Sequence, residues 1–533
     1  MTYDSAPIFG FNEAKPAIVR EVVKRVVDSV KDARLVLNDA AYLEARRVGA
    51  NGGAAYSEWR ALAASLGRMT DGELRANVER LAERHAWDVA GNFDPRVYKL
   101  ASRAMAPVLG TLLSPRSALR NLHRMTGLDA LDDRIIVQGP VDQLRGLARK
   151  GTLVFTPTHL SNLDSVVFGF ALERAGLPPA TYGAGKNLFT NPVLSFFMHN
   201  LGAYRVDRRL KHALYKDVLK AYSTVLLERG YHSLFFPGGT RSRSGAVERR
   251  LKLGLAGTGI EAFGRTAEQG KPQRVFFVPA TINYLLTLEA ETLIDDFLQE
   301  EGKARYIIED DESTRIGRVA AFSQKLLGLD AACVIRFSAP LDCFGNRVAD
   351  DGTSRDARDR HVLPESYLVG ARGEPQRDPR RDAQYTRELG LAICAAFKRD
   401  TVVMPTHVVA TAAFSELRKV LGHSDLFALL GERDGVRVTR QRMQRSLEEL
   451  LGRLERAEDA GELVLAPGLR GARADAVLAS ALRAFAGYHA SPVLSLGATD
   501  VVLESTRLLF YYQNRLAAHG LAFDAVAPPA KAA

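Results

Sequence analysis

With 533 residues, the chain is too long for one ordinary hydrophobic core, and two or three domains are expected. Its 46% hydrophobic and 25% charged residues are globular proportions, which exclude a disordered chain. A formal net charge of +10 points to an anionic partner: a phosphorylated substrate, an acidic lipid surface or nucleic acid.

Residues 1–125 read as helical. "KPAIVREVVKRVVDSVKDARLVL" repeats apolar residues at helical spacing with basic residues between them. No basic start followed by an apolar core precedes it, so no signal peptide is expected. "DPRVYKLASRAMAPVLGTLLSPRSALRNLHRM" is more apolar and flanked by arginines. It reads first as a helix packed on the main domain, and alternatively as a surface helix on acidic lipid.

The pattern changes at Arg134. "RIIVQG", "GTLVFTP", "HSLFFPG", "QRVFFVPATINY" and "ACVIRFSAPLD" read as strands, the last closing the series, with "ATYGAGKNLF" and an apparent strand at "AYRVDRR" among them. Between them "PVDQLRGLARK", "NLDSVVFGFALERAG", "NPVLSFFMHNLG" and "HALYKDVLKAYSTVLLERG" read as helices. This alternation predicts an α/β domain over residues 126–344, with a mixed, largely parallel sheet flanked by helices. Residues 345–385 are charged, rich in Gly and Pro, and read as a linker. Residues 386–533 read as a helical C-terminal region ending in the tail "AVAPPAKAA". No apolar run reaches the roughly 20 residues of a membrane span. Cys333, Cys343 and Cys394 lack metal-ligand spacing and read as reduced thiols of a cytosolic compartment.

Chemistry concentrates in "TPTHLSNLD". His159 follows a buried strand, Ser161 or Asn162 can cap the next helix, and Asp164 falls in its first turn. A loop here lets the imidazole meet the carboxylate, which would fix its tautomer and stabilise the imidazolium formed when it takes a proton. Spacing alone carries little: with 11 histidines, composition yields about 0.6 such pairs. His212 and Asp217 share the spacing inside "KHALYKDVLK" and read as a solvated helix face. What distinguishes His159 is its strand–loop–helix setting and three segments that follow. "LGAYRVDRR" places Arg205, Arg208 and Arg209 near a strand, "FFPGGTRSRSG" places Arg241 and Arg243 beyond another, and "VPATINY" places Pro279 at the end of a third. Ligands of α/β sheets gather at strand carboxyl ends, and arginine suits phosphate through its two-pronged donor. Arg249 and Arg250 read as surface charges, and Lys186 and Asn187 as either a turn or part of the site. "GGTRSRSG" lacks the GxxxxGK of a Walker loop, and the arginines are not interleaved with stacking aromatics, which argues against nucleic acid.

In this order, "THLSNLD", "GAYRVDR", "FFPGGTRSRSG" and "VPATINY" resemble the four blocks of the glycerolipid acyltransferases. "AGKNL", "TVVMPTHVVATAAF" and "LLFYYQNRLAAHG" are similar to segments of the larger glycerol-3-phosphate and dihydroxyacetone-phosphate acyltransferases. The resemblance implies that His159, held by Asp164, which stabilises the imidazolium as it forms, deprotonates the sn-1 hydroxyl of glycerol 3-phosphate. The alkoxide then attacks the thioester of an acyl-CoA or acyl-carrier protein, with no metal or redox cofactor. It assigns the phosphate to Arg208, Arg241 and Arg243 with Gly239 in the third block, keeps Ser161, Lys186, Asn187, Arg205 and Pro279 as further candidates, and places the enzyme peripherally on the cytoplasmic face of a membrane. It leaves the oligomeric state open. Two departures stand out. Gly238 occupies the position of a family glutamate tied to the acyl acceptor, and Ala246 that of a common lysine. They keep open dihydroxyacetone phosphate or lysophosphatidate as the acceptor, and a non-catalytic descendant that binds anionic lipid.

Overall fold

The computed structural model describes residues 6–101, 134–185, 192–301, 332–370, 373–422, 425–432, 435–486, 489 and 492–523. From residue 102 on, the arginine-flanked helix expected to run to residue 125 lies outside them, as do Lys186 and Asn187.

Strands β1 (Ile135–Gln138), β2 (Thr152–Pro157), β3 (Thr181–Gly185), β4 (Ala203–Val206), β5 (Ser233–Leu234), β6 (Val275–Tyr284) and β7 (Cys333–Phe337) build the central sheet. The order β4-β3-β5-β2-β6 is parallel throughout. Every residue of β2 and β6 is buried, as expected of strands covered by helices on both faces. The far edge of β6 is shared. Its C-terminal half pairs antiparallel with β7, which pairs with β1, and Phe276 and Phe277 pair with β8 (Leu341–Asp342). The sheet is therefore mixed and largely parallel, with helices on its faces and helical regions at both ends.

Two expectations are corrected here. Pro279 lies inside β6, opposite Thr156, not at its end. Its carbonyl accepts from Ser338 N, so the side without an N–H faces the point where the neighbour changes from β8 to β7, a position that tolerates proline. The expected linker begins with sheet: β9 (Arg347–Val348), β10 (Ser354–Arg355) and β11 (His361–Val362) continue from β8 as short antiparallel strands, so β7 is not the last. Gly and Asp are abundant there because tight turns need them. Gly345 and Gly352 hold φ of 90° and 89°, and Asp342 and Asp356 accept from turn N–H groups.

The helices Phe11–Ser29, Ala33–Val48, Gly53–Ser65 and Asp71–Val89 form the N-terminal region. Ile18, Val22 and Val26 of the first share a buried face packed on Val218, Tyr222 and Val225 of the Ala213–Glu228 helix. A paired Arg25–Glu228 contact at 2.6–2.7 Å closes the seam. The C-terminal region packs Phe414, Leu508, Leu509 and Phe510 against Leu293 and Ile294 of the Ala290–Glu301 helix, which follows β6. Both ends of the chain therefore buttress helices that follow strands of the sheet, β4 and β6. Among the described residues no helix is long and apolar enough to cross a membrane, and all three cysteines are unpaired.

Candidate active site

β2 ends at Pro157, and the chain turns through His159–Leu163 into the Asp164–Arg174 helix. The turn folds on the Asp164 carboxylate, which is fully buried. Oδ2 accepts from the backbone N–H of Leu160 (2.6 Å) and Ser161 (2.9 Å) and meets His159 Nδ1 at 2.8 Å. Oδ1 accepts from the Tyr284 hydroxyl at 2.8 Å, at the end of β6. Two backbone donors fix Oδ2 as an acceptor, so the imidazole proton sits on Nδ1 and the Nε2 lone pair is the available base. The His159 ring stacks on Phe236 with centroids 4.1 Å apart and planes at 21°, which fixes its tilt. Its carbonyl accepts from Ser242 N at 2.7 Å, joining the histidine turn directly to the loop after β5.

Ser161 is buried, and its hydroxyl accepts from Leu163 N at 3.2 Å, so it stabilises the turn rather than facing a substrate. In the loop after β5, Gly239 holds φ of 75°, and a side chain there would run into Lys252, whose Nζ lies 3.0 Å from the added carbon. Lys252, which no motif singles out, thus crosses the third block. Arg241 pairs with Glu289 at 3.4 Å, and Glu289, fully buried, also accepts from Asn162 N at 3.0 Å. Arg208, beyond β4, is exposed and makes no hydrogen bond or ion pair with a described residue. Burial of its guanidinium, followed by the positive charge of Arg241, lowers its pKa. Because the residue as a whole is exposed, the Arg241 repulsion is the part that bears on the site. An anion between two such cations relieves it. Arg243 is half-buried in the same loop. Arg205 is directed elsewhere, 3.8 Å from Asp88 of the N-terminal helices. The His212–Asp217 comparison fails as a solvated face: His212 is buried and caps the Ala213–Glu228 helix, its Nδ1 accepting from Tyr215 N.

Sequence reasoning missed Tyr284, Phe236, Glu289, Lys252 and Glu248, the last accepting from His159 N at 2.9 Å. Tyr284 and Phe236 lie within quoted segments and could have been tested as strand-end residues. Nothing local marks Glu289 or Glu248.

A histidine on a buried carboxylate, at the carboxyl edge of a largely parallel sheet and linked through Asn162 and Glu289 to Arg241, is an arrangement able to take a proton from an acceptor. Residues 137–283 match the family model described as Acyltransferase. It is similar to the glycerol-3-phosphate acyltransferase of Pseudomonas paraeruginosa, with 25% identity over 293 residues, 54% of this chain and 31% of the relative. Proteins of the same name from Xanthomonas axonopodis pv. citri and Actinobacillus pleuropneumoniae serotype 5b show 27% identity over 218 residues and 29% over 202. Those two alignments cover 41% and 38% of this chain, and 22% and 23% of the relatives. The matched region therefore spans less than a third of the length of these relatives.

Proposed function

We propose that the chain is a glycerol-3-phosphate 1-O-acyltransferase. The observation that carries the reading is the His159–Asp164 contact at 2.8 Å, which presents Nε2 as a base at the strand edge. Nε2 takes the proton of the sn-1 hydroxyl, and Asp164 stabilises the imidazolium. The acceptor oxygen forms its bond to the thioester carbonyl, the C–S bond breaks as the tetrahedral intermediate collapses, and the departing thiolate recovers the proton. The products are 1-acylglycerol 3-phosphate and a free thiol. No acyl-enzyme forms, so rate depends on holding both substrates in line. Arg208, Arg241 and Arg243 hold the phosphate, with Gly239 letting the backbone and Lys252 approach. The acyl donor is acyl-CoA or acyl-carrier protein, and the reaction runs at the cytoplasmic face of a membrane, where an apolar product suits a membrane surface.

Purified protein with acidic vesicles, an acyl thioester and labelled glycerol 3-phosphate, dihydroxyacetone phosphate or 1-acylglycerol 3-phosphate tests this directly. Acylation of glycerol 3-phosphate above the other two supports it. Transfer to another acceptor moves the substrate assignment, and vesicle binding without transfer to any acceptor overturns the catalytic reading.

A further inference from the structure

Glu248 lies in "AVERR", a run that reads as surface charge. Part of the residue does reach the surface, yet its Oε2 is sealed from solvent and accepts no hydrogen bond. Oε1 accepts the backbone N–H of His159 at 2.9 Å. The side chain lies over Gly238: a carbon added at Gly238 would stand 3.3 Å from Glu248 Cγ and 3.4 Å from Oε1. Gly238 has ordinary backbone angles, so the glycine is not needed for its conformation. What it provides is room for this carboxylate.

A sealed carboxylate needs an opposite charge. The buried cation whose charge acts on it is Arg515, which follows the Thr506–Gln513 helix and is 2% exposed. Its Nη2 donates to Ile282 O (3.1 Å) and Asn283 Oδ1 (3.0 Å) in β6, while Nε and Nη1 make no hydrogen bond. Burial raises the Glu248 pKa, opposed by the His159 N–H and the Arg515 charge. In turn the Glu248 charge opposes the burial that lowers the Arg515 pKa. Every polar handle on His159 is thereby held: N–H by Glu248, carbonyl by Ser242, Nδ1 by Asp164, leaving Nε2 for the reaction.

We propose that Glu248 is the positioning residue of the base, its carboxylate occupying the space left by Gly238 and holding the backbone N–H of His159. The side chain acts through the backbone of His159 and does not touch substrate. The proposal rests on the acyl-transfer reading for its activity test, and stands independently on backbone geometry. A carboxylate supplied from position 238 should then take over the His159 N–H when Glu248 is removed.

The test compares Glu248→Ala, Glu248→Gln, Gly238→Glu and the double variant Gly238→Glu/Glu248→Ala. Displacing a reacting group by about 1 Å costs on the order of 100-fold in rate. Glu248→Ala is therefore expected to lose about that much kcat, with KM for the thioester unchanged. Glu248→Gln keeps the acceptor oxygen and most of the rate. Gly238→Glu alone crowds two carboxylates together and loses rate, whereas the double variant recovers it. Hydrogen–deuterium exchange at the His159 amide supplies a readout independent of turnover: faster in Glu248→Ala, restored in the double variant. Losses that simply add in the double variant, or an unchanged amide in Glu248→Ala, overturn the proposal. A wild-type chain that acylates nothing would sink the function while the exchange result still decides the positioning role.

Discussion

Replacing Asp164 with asparagine isolates charge from shape. The carboxylate accepts four hydrogen bonds at 2.6–2.9 Å: His159 Nδ1, Leu160 N and Ser161 N on Oδ2, and Tyr284 Oη on Oδ1. An asparagine can keep three by placing its carbonyl where Oδ2 was, with its amide facing the Tyr284 hydroxyl, which rotates to accept. The three retained bonds lose their charge assistance, about 1 kcal/mol each. Relief from holding a buried charge offsets part of that, leaving a stability loss of about 1–2 kcal/mol. The catalytic loss is larger, because nothing then stabilises the imidazolium as Nε2 takes the proton. General-base assistance contributes about 100-fold to 10,000-fold, or about 3–5 kcal/mol. Thiol release measured at saturating thioester and acceptor should therefore drop at least about 100-fold in Asp164→Asn, in a protein that still melts cooperatively. A kcat within about tenfold of wild type, with the variant folded, would refute the base assignment.

The two arginines separate by their partners. Arg208→Ala should raise the acceptor KM about tenfold to 100-fold, the worth of a charged hydrogen bond, at unchanged melting temperature. Arg241→Ala should do the same and also destabilise by about 3 kcal/mol, because buried Glu289 loses a cation; equal melting of the two variants would contradict the Glu289 contact. His232 is buried with Nδ1 accepting from Leu153 N, and burial lowers its pKa from 6.5 to about 4. The unfolded chain binds this proton below about pH 6.5 and the folded chain only near pH 4, so its contribution is full above pH 6.5. That contribution, about 3 kcal/mol, disappears as pH falls toward 4. The His232 ring resonances should stay those of neutral imidazole to about pH 4, and titration near 6.5 would contradict its burial. Glu248 and Asp342, acids whose pKa is raised first by burial, act in the opposite sense, their contributions weakening as pH rises.

The α/β core was legible because β2 and β6 are continuous apolar runs bounded by turn residues, and the His159–Asp164 turn because it follows such a run. The limits have physical causes. The opening of 345–385 looked like a linker because two-residue strands are mostly turn, and turn chemistry resembles linker composition. His212 looked solvated because helical spacing does not reveal a cap buried under the N-terminal helices. Glu248 and Arg515 were invisible for a different reason. A charged residue among charged neighbours reads as surface, and only the fold shows that one carboxylate turns inward to accept the backbone N–H of His159. The glycine pair Gly238–Gly239 therefore has two explanations: Gly239 for its positive φ and the Lys252 crossing, Gly238 for the acid above it.

The most direct test of the central claim is acyl transfer by the purified wild-type chain and by His159→Ala, measured side by side with an acyl thioester and glycerol 3-phosphate on acidic vesicles. The account expects 1-acylglycerol 3-phosphate from the wild type and a loss of about 100-fold or more in the variant. Equal turnover by the two proteins would contradict it.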